Sequence, residues 1–359
     1  MRDSRKSAQR PVRIAAGALR RLMEDLLQAA GCKKRAAAAI ADVFLEADLR
    51  GHSIQGLDHM FTMLRDLRSG RIDATATPRI VREKLGSALV DGRHGPGQIA
   101  ATFAAALAVR KARRTGCAAV GVTRSSDIFM LGYYAERIAR SGMIGIVFSN
   151  APPRVHPPGG IDPVLGTNPL ALAIPRGRRD PLVADLATAA SASGHVRIAG
   201  YTASRLPPGI AIGPDGRPTV DPAVAIDGAL APLGGHKGFA LGLCVGILSG
   251  PLVGAAVGAP LAGWLRPTGR AGPKGHFMLA IDPAAFGDVA LFHRSVSRHL
   301  REVKAVRRAP GAAAVRLPGE RGFAARRDQR RTGVRILPEV WVRTRALAAS
   351  LGVALPPPR

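Results

Sequence analysis

The chain has 359 residues, and 52 Lys and Arg against 25 Asp and Glu give it a formal net charge of +27. Its 47% hydrophobic content excludes a wholly disordered chain, and its three cysteines exclude a disulfide-stabilised scaffold. The length suffices for two domains or one large domain with a substantial core. Because no disulfide framework is present, we expect a cytoplasmic protein.

Short helical and apolar patterns alternate along the chain. Residues 1–13 are basic and precede no apolar run, which predicts a disordered tail and excludes a secretory signal. Leucines at helical spacing predict a helix that ends at Gly31. Further periodic segments predict helices at 40–47, 98–114, 133–141 and 289–306, and short apolar runs predict strands at 88–91, 118–123 and 143–149. This order of elements is typical of an α/β fold.

The segment 239–265 carries no charge and is long enough to span a bilayer. It contains six glycines, and Pro251 and Pro260 interrupt it. These residues favour a buried helix over 239–248 that ends at the Ser-Gly-Pro sequence beginning with Ser249. We therefore expect no membrane span.

The high positive charge has two interpretations. It is typical of proteins that bind nucleic acids or anionic membranes. The arginines are scattered, however, although 320–335 is locally dense, and an aromatic content of 4% leaves few stacking surfaces for single strands. A GC-biased coding sequence gives the same Arg-, Ala-, Gly- and Pro-rich composition. We expect no nucleic-acid partner and keep polyanion binding as an alternative.

Generic motifs assign no chemistry to the chain. The glycines of 91–97 (DGRHGPG) do not form G-x-G-x-x-G, and no P-loop, nucleophile elbow or zinc-protease motif occurs. We predict no metal site. The small-residue loops 166–169 (GTNP) and 234–238 (GGHKG) can bring backbone amides close to a phosphate, although most such loops are simple turns.

Taken together, several segments resemble one family. In chain order they are 49–56 (LRGHSIQG), 91–101 (DGRHGPGQIAA), 159–175 (GGIDPVLGTNPLALAIP), 185–188 (DLAT), 215–222 (DGRPTVDP), 232–238 (PLGGHKG), 275–283 (GHFMLAIDP) and 316–321 (RLPGER). They resemble the type-2 malate/L-lactate dehydrogenase family, which includes ureidoglycolate and sulfolactate dehydrogenases and piperideine-2-carboxylate reductase. The resemblance covers almost the whole chain.

The resemblance implies a fold and a reaction. The fold is α/β, with a non-Rossmann NAD(P)-binding domain over 76–289 and a helical domain formed by 14–75 together with 290–350. The reaction is hydride transfer between NAD or NADP and a small 2-hydroxy or 2-oxo acid, or a related imine acid. Family members also form homodimers.

The resemblance assigns cofactor contacts to three loops. The implied cofactor residues are Asp127, Ile128, Phe129, Met130, Leu131, Asp185, Leu186, Ala187, His236 and Lys237, and Thr167 is implied to lie near the substrate. A lysine at position 237 suits this role, because a mobile ammonium group can bind phosphates or ribose hydroxyls.

The family's catalytic motifs are altered in this sequence. The motif Arg-Gly-His-x-Ser-His-Gly retains His52, but Ile54 and Gln55 replace its Ser-His pair and His59 replaces a following arginine. The second motif, Ser-x-His-Phe-Gly, has Asp127 in place of histidine. The resemblance therefore places catalytic positions at Gln55 and Asp127 and a substrate position at His59, and neighbouring His52 can be recruited.

These replacements affect the proton chemistry directly. A glutamine cannot titrate, and loss of a general acid–base typically costs about 10²–10⁴-fold in rate. A neutral imidazole lacks the planar fork with which a guanidinium holds a carboxylate. An ordinary carboxylate, with a pKa of about 3.9, is a weak base. We expect an oxidoreductase with a degraded catalytic motif; a catalytically inactive cofactor-binding paralogue and a basic polyanion-binding protein are the alternatives.

Overall fold

The structure is a computed structural model that describes residues 11–266 and 271–358. Contacts divide the chain into two compact units. The terminal unit contains the described residues up to Arg68 and those from Gly322 onward, and the central unit spans Ser69–Arg321. The domain limits implied by the resemblance, at 75/76 and 289/290, stay predictions.

The elements follow in chain order. The helices are α1 (Ala16–Ala29), α2 (Lys34–Leu49), α3 (Leu57–Arg68), α4 (Gly97–Thr115), α5 (Leu131–Arg140), α6 (Ser193–Tyr201), α7 (Pro222–Asp227), α8 (His236–Ser249), α9 (Val289–Ala305), α10 (Glu320–Thr332) and α11 (Pro338–Leu351). The strands are β1 (Val12–Ile14), β2 (Arg79–Lys84), β3 (Ser87–Asp91), β4 (Cys117–Ser125), β5 (Ile144–Ser149), β6 (Pro153–Val155), β7 (Leu165–Gly166), β8 (Leu170–Arg176), β9 (Arg179–Leu186), β10 (Ala211–Ile212), β11 (Ala229–Leu230), β12 (Lys274–Ile281) and β13 (Val334–Ile336). The helices and strands predicted from periodicity agree with α1, α2, α4, α5, α9, β3, β4 and β5.

The terminal unit is built around amphipathic helices. Buried side chains of α1 recur at helical spacing and form part of its core: Leu19, Leu22, Met23, Leu26 and Leu27. Strand β1 pairs with β13 in antiparallel register. The predicted disordered tail is therefore wrong for Val12 and Arg13, because their backbones bond to a strand more than 300 residues away; residues 1–10 lie outside the described residues.

The central unit contains a seven-stranded mixed sheet in the order β2-β3-β4-β12-β5-β8-β9. Only β3 and β4 pair in parallel, and β12 lies between β4 and β5 and is antiparallel to both. Helices α4 and α5 contact this sheet. A second sheet has the order β10-β11-β6-β7. The α/β fold expected from the sequence is confirmed.

Helix α8 follows the glycine-rich turn that precedes it. Gly246 faces the 166–169 loop, because a Cβ atom there would lie 2.9 Å from Asn168 Nδ2, and Gly242 faces Thr188, whose Oγ1 would lie 2.6 Å from a Cβ atom at that position. The opposite side exposes apolar residues, including Leu243 (45% exposed). The predicted helix is confirmed, whereas its predicted burial is wrong for this face. Apolar side chains surround most of α8, so burial of its glycine face leaves the apolar side chains of its other faces at the surface.

Among the described residues, one helical stretch has the length and composition of a membrane span. It is His236–Val253, with a mean hydropathy of 1.3 and 39% of its residues buried. A single stretch of this kind also occurs in core helices of proteins that do not cross membranes, and it is weak evidence for a span.

Candidate active site

The loops that carry the predicted cofactor residues meet at one edge of the central sheet. The antiparallel pairings of β12 place its first residues beside the ends of β4 and β5. Strand β8 begins beside the end of β5, and β9 ends beside the beginning of β8. Residues 125–131, 166–169 and 185–188 therefore lie at the same sheet edge.

The 125–131 loop is anchored by hydrogen bonds from three directions. Ser126 Oγ accepts from Gly97 N at the start of α4 (2.8 Å). Tyr134 Oη in α5 donates to the carbonyl of Ile128 (3.0 Å). His276 Nε2 lies 3.1 Å from the carbonyl of Ser126. Since a carbonyl oxygen only accepts, His276 carries its proton on Nε2 and Nδ1 can accept from Ser149 Oγ, 2.9 Å away.

His276 is a buried structural group that the sequence did not single out. It is fully buried at the centre of the sheet. Its pKa is lowered from 6.5 to about 4, mainly by burial and to a smaller extent by nearby Lys274, whereas Asp127 and the bond to Ser126 oppose the shift. A neutral imidazole therefore orients the carbonyl group next to Asp127. The matched segment 275–283 contains this histidine, but periodicity alone could not assign it a role.

Asp127 forms an ion pair with the ammonium group of Lys274. The lysine side chain is 1% exposed and that of Asp127 is 35% exposed, so the pair extends from the interior to the surface of the loop. The lysine Nζ also lies 4.7 Å from the ring centroid of Trp264, a cation–π distance. The position that the motif assigns to histidine thus carries a carboxylate fixed by a buried cation.

Phe129 occupies the position at which the second motif has glycine. Its φ is 62°, in the left-handed region that favours glycine. Ile128 and Met130 on either side are buried, whereas Phe129 is half-buried. The loop therefore retains a conformation that this residue type adopts at a conformational cost.

Asp185 holds the beginning of α5 by a hydrogen bond to its first turn. Its Oδ2 accepts from Gly132 N in the first turn of α5 (2.7 Å). A Cβ atom at Gly132 would lie 2.9 Å from that oxygen, so the contact requires glycine. Leu186 is exposed and Ala187 is half-buried beyond it. The structure thus brings Asp185 into direct contact with the segment that follows 127–131.

The remaining predicted loops belong to the same network. The carbonyl of Thr167 accepts from the amide and hydroxyl groups of Thr188 (3.0 and 3.1 Å). Buried Asn168, with a φ of 29°, donates to the carbonyl of Gly242 in α8 (2.9 Å). Leu233 N donates to the carbonyl of Thr188 (2.9 Å), which ties the 232–238 loop to the same edge.

His236 and Lys237 form the exposed beginning of α8. The two preceding glycines, Gly234 and Gly235, have φ values of 60° and 65°, and no atom lies within 4 Å of their would-be Cβ positions. This turn leaves open space beside the first amide groups of a 14-residue helix. All predicted cofactor residues therefore lie on loops, or on the strand and helix ends beside them, at one hydrogen-bonded edge of the central unit.

The terminal unit carries the other predicted residues. Gln55 ends a short 3₁₀ turn, Ser53–Gln55, and its backbone N–H donates to the carbonyl of His52 (2.8 Å). His59 lies in the first turn of α3, and its Nδ1 donates to the carbonyl of Ile54 (2.9 Å). The structure thus places His52, Gln55 and His59 on one turn and the helix start that follows it.

Asp48 supports this turn and was missed by the sequence analysis. Its buried Oδ2 accepts from Leu57 N (2.9 Å), and a Cβ atom at Gly56 would lie 2.0 Å from its Oδ1. Burial raises the pKa of Asp48 to about 8, the bond from Leu57 opposes the rise and Asp58 adds to it. The adjacent Gly56 of the matched motif is the signal that could have indicated a close approach.

Among the described residues, no group of three or more His, Cys, Asp or Glu side chains is arranged to hold a metal ion.

The chain is similar to a defined set of proteins. The sequence profile described as malate/L-lactate dehydrogenase matches residues 14–344. L-sulfolactate dehydrogenase of Methanothermobacter thermautotrophicus is 36% identical over 93% of this chain and 96% of the relative. Delta(1)-pyrroline-2-carboxylate reductase of Ancylobacter novellus is 33% identical over 94% and 98%.

Solved structures agree with these sequence similarities. Malate dehydrogenase from Entamoeba histolytica superposes with a TM-score of 0.92 at 28% identity, covering 96% of this chain and 99% of that one. The resemblance drawn from the motifs is therefore confirmed. Proteins of this kind are NAD(P)-dependent oxidoreductases that act on hydroxy or oxo acids.

Proposed function

Because the chain belongs to the malate/L-lactate dehydrogenase family, we propose that it binds NAD or NADP and transfers hydride to or from a small 2-hydroxy, 2-oxo or imine acid. The observation that carries this proposal is the single sheet edge on which the 125–131, 166–169, 185–188 and 232–238 loops are hydrogen-bonded together. We further propose that its acid–base chemistry is weaker than that of relatives with the full motif.

The residues at this edge fit a nicotinamide dinucleotide. The open turn at Gly234 and Gly235 leaves room beside the N-terminus of α8, where backbone amides and the helix dipole favour a phosphate. The exposed Lys237 can add a mobile cationic donor. The antiparallel β12 at the middle of the sheet supports a non-Rossmann binding domain, since Rossmann sheets are mostly parallel.

The bound nicotinamide supplies hydride chemistry, and the chain's own residues must orient the substrate and handle its proton. Gln55 can donate or accept hydrogen bonds but cannot exchange a proton. In a neutral His59, Nδ1–H bonds to Ile54 and Nε2 is the proton-accepting atom. An imidazole lacks the planar fork of a guanidinium, so His59 is a weaker anchor for a substrate carboxylate than the arginine that it replaces.

An imine acid suits these residues better than an oxo acid. Reduction of a carbonyl group requires a proton donor for the developing alkoxide, whereas a protonated imine already carries its proton on nitrogen. The carboxylate of Asp127, fixed by Lys274, can accept a hydrogen bond from such a nitrogen. A relative named as a pyrroline-2-carboxylate reductase supports this second candidate substrate class.

Further parts of the proposal concern assembly and location. The exposed apolar face of α8, with Leu241, Leu243 and Ile247, supports a homodimer, because burial of such a face against a second copy is favourable. We propose a cytoplasmic protein without a membrane span or a nucleic-acid partner. An inactive cofactor-binding paralogue and a polyanion-binding protein are the competing functions.

Turnover of the purified protein tests the proposal. NADH and NADPH are supplied separately against a panel of 2-oxo acids and cyclic imines, and cofactor binding is titrated in parallel by nicotinamide fluorescence. We expect saturable binding that Lys237→Ala weakens and Lys34→Ala, at an exposed helix start, leaves unchanged. Turnover of imines above oxo acids supports the second substrate class.

Two results would contradict the proposal in different ways. Saturable cofactor binding without turnover on any substrate favours the inactive paralogue. Absence of saturable binding at millimolar cofactor, together with retention on heparin that falls steeply with salt, favours the polyanion-binding protein.

A further inference from the structure

The hairpin between β8 and β9 concentrates positive charge at the sheet edge opposite the candidate active site. Its turn reads Arg176-Gly177-Arg178-Arg179, and the seven residues of β8 separate it by about 20 Å from the 166–169 loop. Arg176 and Arg179 are direct cross-strand partners. Side chains of such partners lie on the same face, and like charges there destabilise a hairpin.

No carboxylate of the described residues forms an ion pair with Arg176, Arg178 or Arg179. The neighbouring Arg140 is paired with Glu136 and with Asp180. Glu320 lies within electrostatic reach of Arg176, but both of its oxygens accept from Lys304 Nζ (2.7 and 2.9 Å). The charge of the hairpin is therefore compensated poorly by the protein itself.

Two buried nitrogen atoms near the turn also lack hydrogen-bond partners. Arg176 Nε is buried without a hydrogen-bond partner, and so is Nε2 of His293. The two residues belong to one neighbourhood, because a Cβ atom at Gly177 would lie 3.6 Å from His293 Nδ1. Buried polar atoms of this kind are normally satisfied by protein, water or a bound group.

A cavity of about 350 Å³ opens beside the hairpin. Its lining includes Arg140, Pro175, Arg176, Arg178, Arg179 and Pro181. The volume lies at the lower end of the range for small-molecule sites, about 300–1,000 Å³. A cavity of this size accommodates a compact ligand, whereas an extended polymer would contact the exposed surface outside it.

We propose that this arginine hairpin binds a small oxyanion with two or more negative charges, of the phosphate class. Guanidinium groups bind phosphate oxygens in pairs through a planar fork, and one multiply charged anion can bridge several of them. Such a ligand relieves the repulsion between Arg176 and Arg179. The site is separate from the proposed cofactor loops, and its existence does not depend on the proposed reaction.

Calorimetric titration with sodium pyrophosphate at constant ionic strength tests the site. The doubly substituted Arg178→Gln/Arg179→Gln chain removes two exposed guanidinium groups and retains the glycine of the turn. We expect at least about tenfold weaker binding than in the unmodified chain, because tenfold corresponds to about 1.4 kcal/mol and a single charge-assisted hydrogen bond contributes at least that much. The matched control, Arg113→Gln/Arg114→Gln, lowers the charge equally at the exposed end of α4 and should bind as the unmodified chain does.

A third variant separates this site from the cofactor loops, because pyrophosphate resembles part of a dinucleotide. Lys237→Ala should leave the hairpin-dependent binding unchanged. The proposal is overturned if the unmodified chain does not bind pyrophosphate, if the hairpin and control variants bind it equally, or if only Lys237→Ala abolishes binding. Circular dichroism of each variant verifies that the fold is retained.

Discussion

The edge loops of the central unit and the 52–59 turn of the terminal unit differ in what they retain. At the central edge, the groups that position the predicted cofactor residues are present, for example Asp185 against Gly132. In the turn, the backbone support is equally complete, because Asp48 accepts from Leu57 N and contacts Gly56. The replaced side chains are those expected to move a proton or bind the substrate, Gln55 and His59 in the turn and Asp127 at the central edge. The residues that hold a loop in place can thus be retained while the residues that carry its chemistry change.

Restoring the replaced catalytic side chains should produce the largest change, a rise in turnover. We expect turnover of malate-like 2-hydroxy acids to rise about 10²–10⁴-fold when a general acid–base and a carboxylate-binding guanidinium are returned. The combined variant carries Ile54→Ser, Gln55→His, His59→Arg, Asp127→His and Lys274→Met. The last change is needed because replacement of Asp127 leaves a buried ammonium group without its carboxylate.

Steady-state kinetics with saturating cofactor measures this effect. The control is the same variant with Lys274 retained, which we expect to unfold at lower urea concentration. If the variant with all five substitutions folds and binds cofactor but remains inactive across the acid panel, the altered motif does not account for any lack of activity.

Breaking the ion pair alone should strongly destabilise the central edge. Asp127→Asn preserves shape but removes the charge opposite Lys274, and loss of one partner of a buried pair typically costs about 3–5 kcal/mol. Adding Lys274→Met should recover most of that loss, since no buried charge remains. Urea unfolding of the single and double variants measures both values. A single variant no less stable than Lys34→Met, at an exposed position, would show that the pair contributes little.

Local sequence signals account for most of the fold. Helices such as α1 and α4 follow from apolar spacing and small-residue patterns within 20 residues. The cofactor residues could be placed because their loops match family motifs, and the structure joins those loops at one edge. Their individual contacts with a cofactor stay predictions.

Long-range contacts could not be predicted. Lys274 and Asp127 are 147 residues apart in sequence, and neither lies in a pattern that indicates the other. Strand β12 inserts between β4 and β5 from a distant part of the chain, and β1 pairs with a strand near the C-terminus. The exposed face of α8 was missed because an apolar helix gives no signal for which side is covered.

The pH dependence of folding stability also distinguishes the two regions. Asp48 has a folded pKa of about 8 against 3.8 for the free side chain, so the folded chain keeps a proton that the unfolded chain releases. The contribution of Asp48 to stability is therefore fully present below about pH 4 and is lost as the pH rises to 8, by about 1 kcal/mol per pH unit. Asp48→Asn should remove this loss and gain stability relative to the unmodified chain as the pH rises.

The central edge should show the opposite dependence. His276 has a folded pKa of about 4 against 6.5, so its contribution is present above pH 6.5 and is lost as the pH falls toward 4. Urea unfolding at several pH values measures the Asp48→Asn difference, and Thr62→Ala, which removes no titratable group at a half-buried position in α3, is the control. A difference that does not change between pH 4 and 8 would mean that Asp48 titrates normally.

The smallest effect concerns the backbone of the 125–131 loop. Phe129 has a φ of 62°, and the left-handed conformation costs a non-glycine residue about 1–2 kcal/mol. Phe129→Gly and Phe129→Ala both remove the ring and its contacts, but only glycine relieves the conformational cost. We expect the glycine variant to be about 1 kcal/mol more stable than the alanine variant by urea unfolding, although glycine is usually the less stabilising of the two. Equal stability, or a more stable alanine variant, would mean that the loop relaxes to a negative φ once the ring is removed.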